Sequence, residues 1–381
     1  MSQKKQAASS ARAGGITDGV IWEQLLVFFF PILFGAFFQQ LYNTVDAVVV
    51  GRFTGSLELA AVGGSTGTII NLLFGFFIGL SSGATVIIAQ FYGAGDKEMV
   101  SRSVHTAIAL SIAGGAILSA IGFIFARTAL EWMQTPDTVI DLAETYIKIY
   151  FIGMIPNLYY NICAAILRAV GDSKRPLYIL IFSCLVNIVL DLVFIIVFKL
   201  GAPGAAWATI ISQGVSGVLC LVYIWKFVPE LRMKKEDWYF RRNLAAKQIG
   251  VGIPMGLQYS ITAIGTMMVQ SALNMLGSYA VAAFTAGSKI EQIFTQAYVA
   301  QGTASATYNA QNIGAGNVPR IRQGFKACTI LGIGYSLVAA TFIMTVGKYM
   351  TYLFVSEDVD IIMSSVAVSY THLTLPTTSR V

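Results

Sequence analysis

The sequence predicts an all-α polytopic membrane protein of two six-helix lobes, the second incomplete, with about nine full helices and part of a tenth. Three observations support this fold class. Hydrophobic residues make up 56% of the 381 residues and charged residues 12%, with a mean hydropathy of +0.68. Ordinary globular domains carry about twice that charged fraction. Apolar runs of about 18 residues or more recur along the chain, and segments of the first half recur in the second.

The apolar runs predict nine complete membrane helices. They lie at residues 24–50, 59–91, 101–128, 139–167, 176–200, 204–228, 247–276, 280–312 and 320–347. A tenth run begins near Asp360 and loses its apolar character after Ser365. Residues 1–20 are polar, and the first apolar run is too long for the core of a secretory signal, so we expect no cleaved leader.

Basic residues are concentrated on one side of this layout. Eighteen of the 25 Lys and Arg residues fall in the N-terminal tail and in alternate loops, whereas five fall on the opposite side. Loops rich in Lys and Arg tend to stay in the cytoplasm. The distribution therefore predicts a multi-pass protein of the bacterial inner (plasma) membrane with a cytoplasmic N-terminus. It also accounts for the net charge of +6 without a nucleic-acid partner.

An internal repeat divides the chain into two lobes. GSLELAAV at 55–62 matches GSYAVAAF at 277–284, and QFYGAGD at 90–96 matches QNIGAGN at 311–317, with offsets of 222 and 221 residues. Six helices per lobe is an even number, so the lobes should be related by a pseudo-two-fold axis along the membrane normal. The predicted domains are a cytoplasmic tail (1–20), a first lobe (21–228), a cytoplasmic linker (229–246), a second lobe (247–368) and a terminal tail (369–381).

The first span carries one ionisable residue deep within an apolar run. Gln39, Asn43 and Asp46 follow one another at i, i+4 and i+7, so they form a polar stripe on a helix. A carboxylate in hydrocarbon is costly and normally faces a bundle interior or a wet cavity, where it has a function. The alternative is that Asp46 only accepts hydrogen bonds from a neighbouring helix.

The fifth and sixth spans add further polar groups to the first lobe. Ser183, Asn187 and Asp191 lie at i, i+4 and i+8, and Thr209 and Gln213 are again four residues apart. Such oxygen ligands suit a hard monovalent cation, and two carboxyl groups close together can share a proton. The alternative is an interhelical hydrogen-bond network that holds no ion.

The chain resembles the multidrug and toxic-compound extrusion (MATE) family, and in particular its bacterial drug-efflux members. The resemblance covers roughly residues 20–365. It is carried by the Asp46 helix with its preceding Pro31, by AQFYGAGD (89–96), by LRAVGDSKRP (167–176), and by NIVLD (187–191) followed by GAAWAT (204–209).

The resemblance implies a twelve-helix, bilobed exporter of small organic, often cationic compounds. It implies no cofactor, and a coupling ion that is either Na⁺ or H⁺. Matched by position, a cation site in the first lobe, with Na⁺ as one candidate ion, corresponds to Asp46, Asn187, Asp191 and Thr209. Its supporting network corresponds to Tyr42 and Asn161, and we add Asn43 from the polar stripe.

Four residues are candidates for lining a substrate cavity between the lobes: Gln39, Gln258, Lys289 and Gln292. Lys289 lies near Glu291 within the eighth span, and the alternative is that this pair is structural. Some branches of the family place a Glu in the seventh span. Here residues 258–266 contain no carboxylate, so a carboxylate-based site in the second lobe is not expected.

The end of the chain departs from the family pattern. Residues 369–381 are polar, rich in Thr and include Pro376, so they cannot complete a span. We interpret this tail as non-native junction sequence and the chain as C-terminally truncated. One hypothesis is therefore a remnant that does not transport.

Two other functions are alternatives to drug export. A lipid-linked oligosaccharide flippase of the same architecture would need several cations for pyrophosphate, and only Lys289 lies well inside the membrane. An enzyme would need a convergent catalytic set. The two His residues are far apart, and the four Cys lie in apolar runs that predict neither a disulfide nor a metal site. We therefore expect no catalytic residues, and a monomer is sufficient.

Overall fold

A computed structural model describes residues 16–231, 241–275 and 278–351 of the chain. Within these ranges the regular structure is entirely helical, with no strand. The predicted tenth helix near Asp360, the tail at 369–381, most of the N-terminal tail and half of the predicted linker lie outside the described residues.

The first lobe contains eight helical segments. Their bounds are α1 Ile21–Phe53, α2 Ser56–Gly63, α3 Ser65–Gly93, α4 Lys97–Trp132, α5 Asp137–Ile152, α6 Met154–Ala169, α7 Lys174–Asp191 and α8 Ala202–Phe227. A π-helical turn, Leu192–Val197, continues α7.

The described part of the second lobe contains three long helices. Their bounds are α9 Arg242–Met275, α10 Ser278–Gly314 and α11 Val318–Thr351. A 3₁₀ turn, Pro229–Leu231, follows α8 at the start of the predicted linker.

Each of the nine predicted spans corresponds to one helix or one broken pair. Six segments are long and apolar enough to cross a membrane alone, and α5 with α6 makes a seventh if that bent pair counts as one span. The remaining helices, α9 and α10, match the predicted seventh and eighth spans but carry polar residues along their length.

The fourth predicted span is not one continuous helix. α5 and α6 meet at Gly153 with a bend of 47°. A Cβ atom at Gly153 would lie 2.2 Å from Cγ1 of Ile210 in α8, so only glycine permits this approach. The bend therefore lets α8 pack directly against the backbone of the fourth span. The second span is likewise divided, at Gly64 between α2 and α3.

The contacts between the lobes have the pseudo-two-fold symmetry that the repeat predicts. Helix α3 of the first lobe packs against α9 of the second, and α10 of the second lobe packs against α1 of the first. The weaker contacts repeat the pattern, because α4 touches α9 and α11 touches α1. The first helix of each lobe is thus held by the second and third helices of the other, as a pseudo-two-fold axis requires.

The α3–α9 contact is made by helix backbones. A Cβ atom at Gly79 would lie 2.2 Å from the nitrogen of Gly256, and one at Gly83 would lie 2.4 Å from the carbonyl oxygen of Gln248. Small residues allow such close helix crossings in membranes. The two lobes therefore meet at these points with no side chain between them.

Replacing Gly79 with Ala should weaken this contact. The added methyl group would overlap the α9 backbone, and overpacking of this kind costs about 1–3 kcal/mol. Gly250→Ala in α9 is the matched control, because a Cβ there meets no atom within 4 Å. We expect a lower thermal unfolding midpoint for Gly79→Ala and no loss for Gly250→Ala, measured on detergent-solubilised protein. Equal midpoints would show that the lobes do not depend on this contact.

Candidate cation site in the first lobe

The four residues predicted to bind a cation come together from three helices. Asp46 lies on α1, Asn187 and Asp191 lie one turn apart on α7, and Thr209 lies on α8. The hydroxyl of Thr209 donates to Oδ2 of Asp46 at 3.3 Å. With its amide nitrogen facing the carboxyl groups, Asn187 donates to Oδ1 of Asp46 at 2.8 Å and to Oδ2 of Asp191 at 3.2 Å. Asn187 thus bridges the two acids.

Three of the four residues are buried, and Asp46 is half-buried. Asn187 and Asp191 are 0% exposed, and Thr209 is 7% exposed. Oδ1 of Asp191 is buried and has no hydrogen-bond partner among the described residues. A buried carboxyl oxygen without a partner is costly. A proton on this oxygen, or a hard cation beside it, would satisfy it, so the donor set fits either coupling ion.

The charges of the site also favour the uptake of a proton or a cation. The carboxyl groups of Asp46 and Asp191 are neighbours, because the amide of Asn187 donates to both. In the described part of the chain, neither forms an ion pair with Lys or Arg. Two negative charges held together without a counter-charge repel strongly in a low-dielectric interior. A proton or a cation at this position would relieve that repulsion.

Local sequence explains how α7 presents its two site residues. Asn187 and Asp191 are four residues apart and share one face of the helix. Asp191 is the last α-helical residue before the π-helical turn Leu192–Val197. Single π-helical turns occur frequently at functional sites in proteins. Here the change from α-helix to π-helix begins immediately after Asp191.

A serine behind the site links all three helices. Ser212 is 0% exposed, and its hydroxyl donates to the carbonyl oxygen of Thr209 at 2.9 Å. The hydroxyl of Tyr42 on α1 lies 3.5 Å from Oγ of Ser212. Ser183 on α7 donates to the carbonyl oxygen of Ser212 at 2.8 Å. Sequence reasoning missed Ser212, although its spacing of three residues from Thr209 places both on one face of α8.

One tyrosine of the fourth span packs beside this region. Tyr146 on α5 is buried and packs with Val49 and Val50 of α1. Sequence reasoning missed it, although the i, i+4 spacing of Tyr146 and Tyr150 in AETYIKIY places both on one helical face.

The other predicted supporting residues lie apart from the four ligands. Asn161 donates within its own helix, to the carbonyl oxygen of Asn157 at 2.9 Å and to Oδ1 of Asn157 at 3.0 Å. Asn43 is exposed, although it neighbours Asp46 on α1. Its role, like that of Asn161, stays a prediction.

The four candidates for a substrate cavity are spread over three helices. Gln39 on α1 is half-buried, whereas Gln258 on α9 and Gln292 on α10 are exposed. Lys289 lies in α10, and its side chain is outside the described part of the structure. A cavity of about 170 Å³ lies between α1, α10 and α11, and its mostly apolar lining includes none of the four. Their role stays a prediction.

A family model matches most of the chain. The model is described as MatE, and it matches residues 31–193 and 254–379. The match includes Asp46, Asn187 and Asp191, whereas Thr209 lies between the two matched parts.

Curated relatives agree with this match. The chain is 34% identical over 348 residues to a probable multidrug resistance protein, YpnP, of Bacillus subtilis (strain 168), covering 91% of this chain and 77% of that protein. It is 30% identical over 345 residues to YoeA, also a probable multidrug resistance protein of that strain, covering 89% of this chain and 74% of YoeA.

Solved structures show the same fold. An outward-facing multidrug resistance MATE family transporter of the MOP superfamily matches with a TM-score of 0.87 at 23% identity, covering 95% of this chain and 80% of that one. A MATE structure in the straight conformation matches with a TM-score of 0.87 at 23% identity, covering 96% and 82%. The family model and the Bacillus relatives, together with this fold, establish that the chain belongs to the MATE family of multidrug efflux transporters.

Proposed function

We propose that this chain is a secondary-active antiporter that exports small organic, often cationic compounds in exchange for Na⁺ or H⁺. The observation that carries the proposal is the pair of neighbouring acids in the first lobe, of which Asp191 is fully buried. Asn187 bridges Asp46 and Asp191, and one oxygen of Asp191 is buried without a partner in the described structure. Such a site is suited to take up one positive charge.

Binding of a proton or Na⁺ at the site would change the relative populations of the inward-open and outward-open conformations. A ligand shifts a conformational equilibrium only by its difference in affinity for the two states. With a proton or Na⁺ bound, the repulsion between Asp46 and Asp191 is relieved, and α1 can stay against α7 and α8. Without the ion, the same repulsion favours a state in which α1 is displaced. Ion binding and the position of α1 are thereby linked.

The substrate class rests on the relatives. The two Bacillus proteins are named as probable multidrug resistance proteins. A more distant relative from Shewanella oneidensis, 23% identical over 340 residues, is named as an FAD transporter. Export of a flavin nucleotide is therefore a second candidate function, and a panel of substrates should include both cationic dyes and FAD.

The proposed orientation places the N-terminus in the cytoplasm of the plasma membrane. It is supported by the eighteen basic residues on the N-terminal side against five on the other. The domain bounds 1–20, 21–228, 229–246, 247–368 and 369–381, and a monomeric state, stay predictions of the same kind.

Asp46→Asn should abolish ion-driven export. The amide is similar in size but cannot bind a proton or supply a negative ligand to Na⁺. We would measure efflux of a cationic dye from vesicles under separately imposed Na⁺ and H⁺ gradients. We expect one of the two gradients to drive efflux by the unsubstituted protein (the parent), and neither gradient to drive efflux by the Asp46→Asn variant. Asp137→Asn is the control, because Asp137 is exposed at the start of α5.

The outcome separates the interpretations of Asp46. Undiminished gradient-driven efflux in Asp46→Asn would show that Asp46 is structural, and the ion site would then be sought around Lys289 and Glu291. If the unsubstituted protein moves neither dye nor FAD under either gradient, the hypothesis of a non-transporting remnant is favoured. If it moves a lipid-linked sugar instead, the flippase hypothesis is favoured.

Asn187→Leu should destabilise the first lobe. Leucine is similar in volume but donates no hydrogen bond, so both carboxyl groups would lose a donor. Leaving buried polar groups unsatisfied costs about 1–3 kcal/mol. We expect a lower thermal unfolding midpoint and no further stabilisation by Na⁺ or by acid. Asn71→Leu on the exposed face of α3 is the matched control. A midpoint equal to the parent's would mean that the amide does not bridge the acids.

A further inference from the structure

The two repeated GAG motifs meet where α3 and α10 end. Gly93 closes α3, and a Cβ there would lie 1.9 Å from the carbonyl oxygen of Gln311. Gly314 closes α10, and a Cβ there would lie 1.8 Å from the carbonyl oxygen of Gln90. Each motif therefore packs its glycine against the glutamine backbone of the other. The contact is reciprocal, as expected for two segments related by the pseudo-two-fold axis.

The side chain of Gln311 binds two segments outside the second lobe. Its amide nitrogen donates to the carbonyl oxygen of Ala169, at the end of α6, at 2.7 Å. Its amide oxygen accepts from the backbone nitrogen of Ile16, in the tail ahead of α1, at 3.0 Å. Gln311 is 0% exposed. One residue of the second lobe thus joins the N-terminal tail to the end of α6.

Further contacts lie next to Gln311 in this junction, the region where the ends of α3, α6 and α10 meet the chain ahead of α1. Asn312 donates from Nδ2 to the carbonyl oxygen of Ile16 at 3.4 Å. Arg320, at the start of α11, donates to Oε1 of Gln24 at 2.8 Å. Beneath them, Ile16, Leu25 and Cys328 pack in one apolar cluster. The junction therefore covers a native thiol of the second lobe with residues of the first.

We propose that Gln311 and the paired glycines Gly93 and Gly314 form a latch that holds the lobes closed at the N-terminal side of the membrane. Releasing it opens the space between the lobes to that side. The latch is suited to repeated opening, because water can replace its amide-to-backbone hydrogen bonds, whose net contribution to stability is modest. The glycine contacts let the backbones separate without unlocking interdigitated side chains.

This inference rests on alternating access as the proposed function, but it is tested by conformation alone. The test needs neither a substrate nor an ion gradient. The latch can therefore fail while Asp46 is confirmed as the coupling site, and the reverse is also true.

Gln311→Leu should expose Cys328. Leucine fills the space but neither donates nor accepts, so the bonds to Ala169 and Ile16 are lost. We would label the purified full chain with N-ethylmaleimide in detergent and follow each cysteine by mass spectrometry. The expected result is labelling of Cys328 that is faster by about five-fold or more, since two hydrogen bonds are lost. Gln323→Leu, at an exposed position on α11, is the matched control.

Two of the other native cysteines show whether the gain in accessibility is confined to the region of Cys328. Cys163 and Cys220 are 0% exposed in the core of the first lobe. Their labelling should stay at the parent's rate while that of Cys328 rises. Unchanged labelling of Cys328 would overturn the proposal. Equal acceleration at all three sites would also overturn it, because it would show that Gln311 supports the fold as a whole.

Gly93→Ala tests the glycine part of the latch independently. The methyl group would overlap the backbone of Gln311, so the two helix ends should be forced apart and Cys328 should again label faster than in the parent. Gly114→Ala in α4 is its control, because a Cβ there meets no atom within 4 Å. Parental labelling of Cys328 in Gly93→Ala would show that closure does not need this contact.

Discussion

Polar groups inside this helical bundle must find their partners within the protein, because the surrounding hydrocarbon offers none. The first lobe depends on this constraint. Asp46, Asn187, Asp191 and Thr209 come from three helices, and their hydrogen bonds fix how α1, α7 and α8 approach one another. One oxygen of Asp191 is left without a partner in the described structure. The packing of the lobe and its proposed capacity for a positive charge therefore have the same origin.

Much of this could be predicted from sequence because helices in membranes satisfy their backbone locally. Long apolar runs therefore predict the bounds of the nine described helices or helix pairs to within a few residues. The i, i+4 spacing of Asn187 and Asp191 likewise placed both on one face. The break at Gly153 could not be predicted, since it arises from Ile210 on another helix. Nor could the position of Ser212 between Tyr42 and Ser183, which depends on how three helices are brought together.

The two kinds of helix contact in the molecule have different chemistry. Within the first lobe, side chains pack around the polar groups of the candidate site, and a glycine allows one close approach at Gly153. Between the lobes, glycines bring backbones together at Gly79 and Gly83, and again at Gly93 and Gly314, beside the apolar cluster of Ile16, Leu25 and Cys328. Interdigitated side chains resist separation, whereas smooth backbone contacts permit it. Under the proposed antiport, the boundary between the lobes can therefore change, and within the first lobe the position of α1 changes with the charge of the site.

The length of α1 connects these two regions mechanically. The helix runs for 33 residues, with Asp46 towards one end and Gln24 and Leu25 at the other. At 1.5 Å per residue, the distance from Leu25 to Asp46 is about 32 Å. Over such a lever arm, a tilt of about 5° at the site displaces the far end by about 3 Å, roughly the length of a hydrogen bond. Under the proposed antiport, a small tilt of α1 at the ion site would thereby become a movement at its far end that is large enough to break a hydrogen bond.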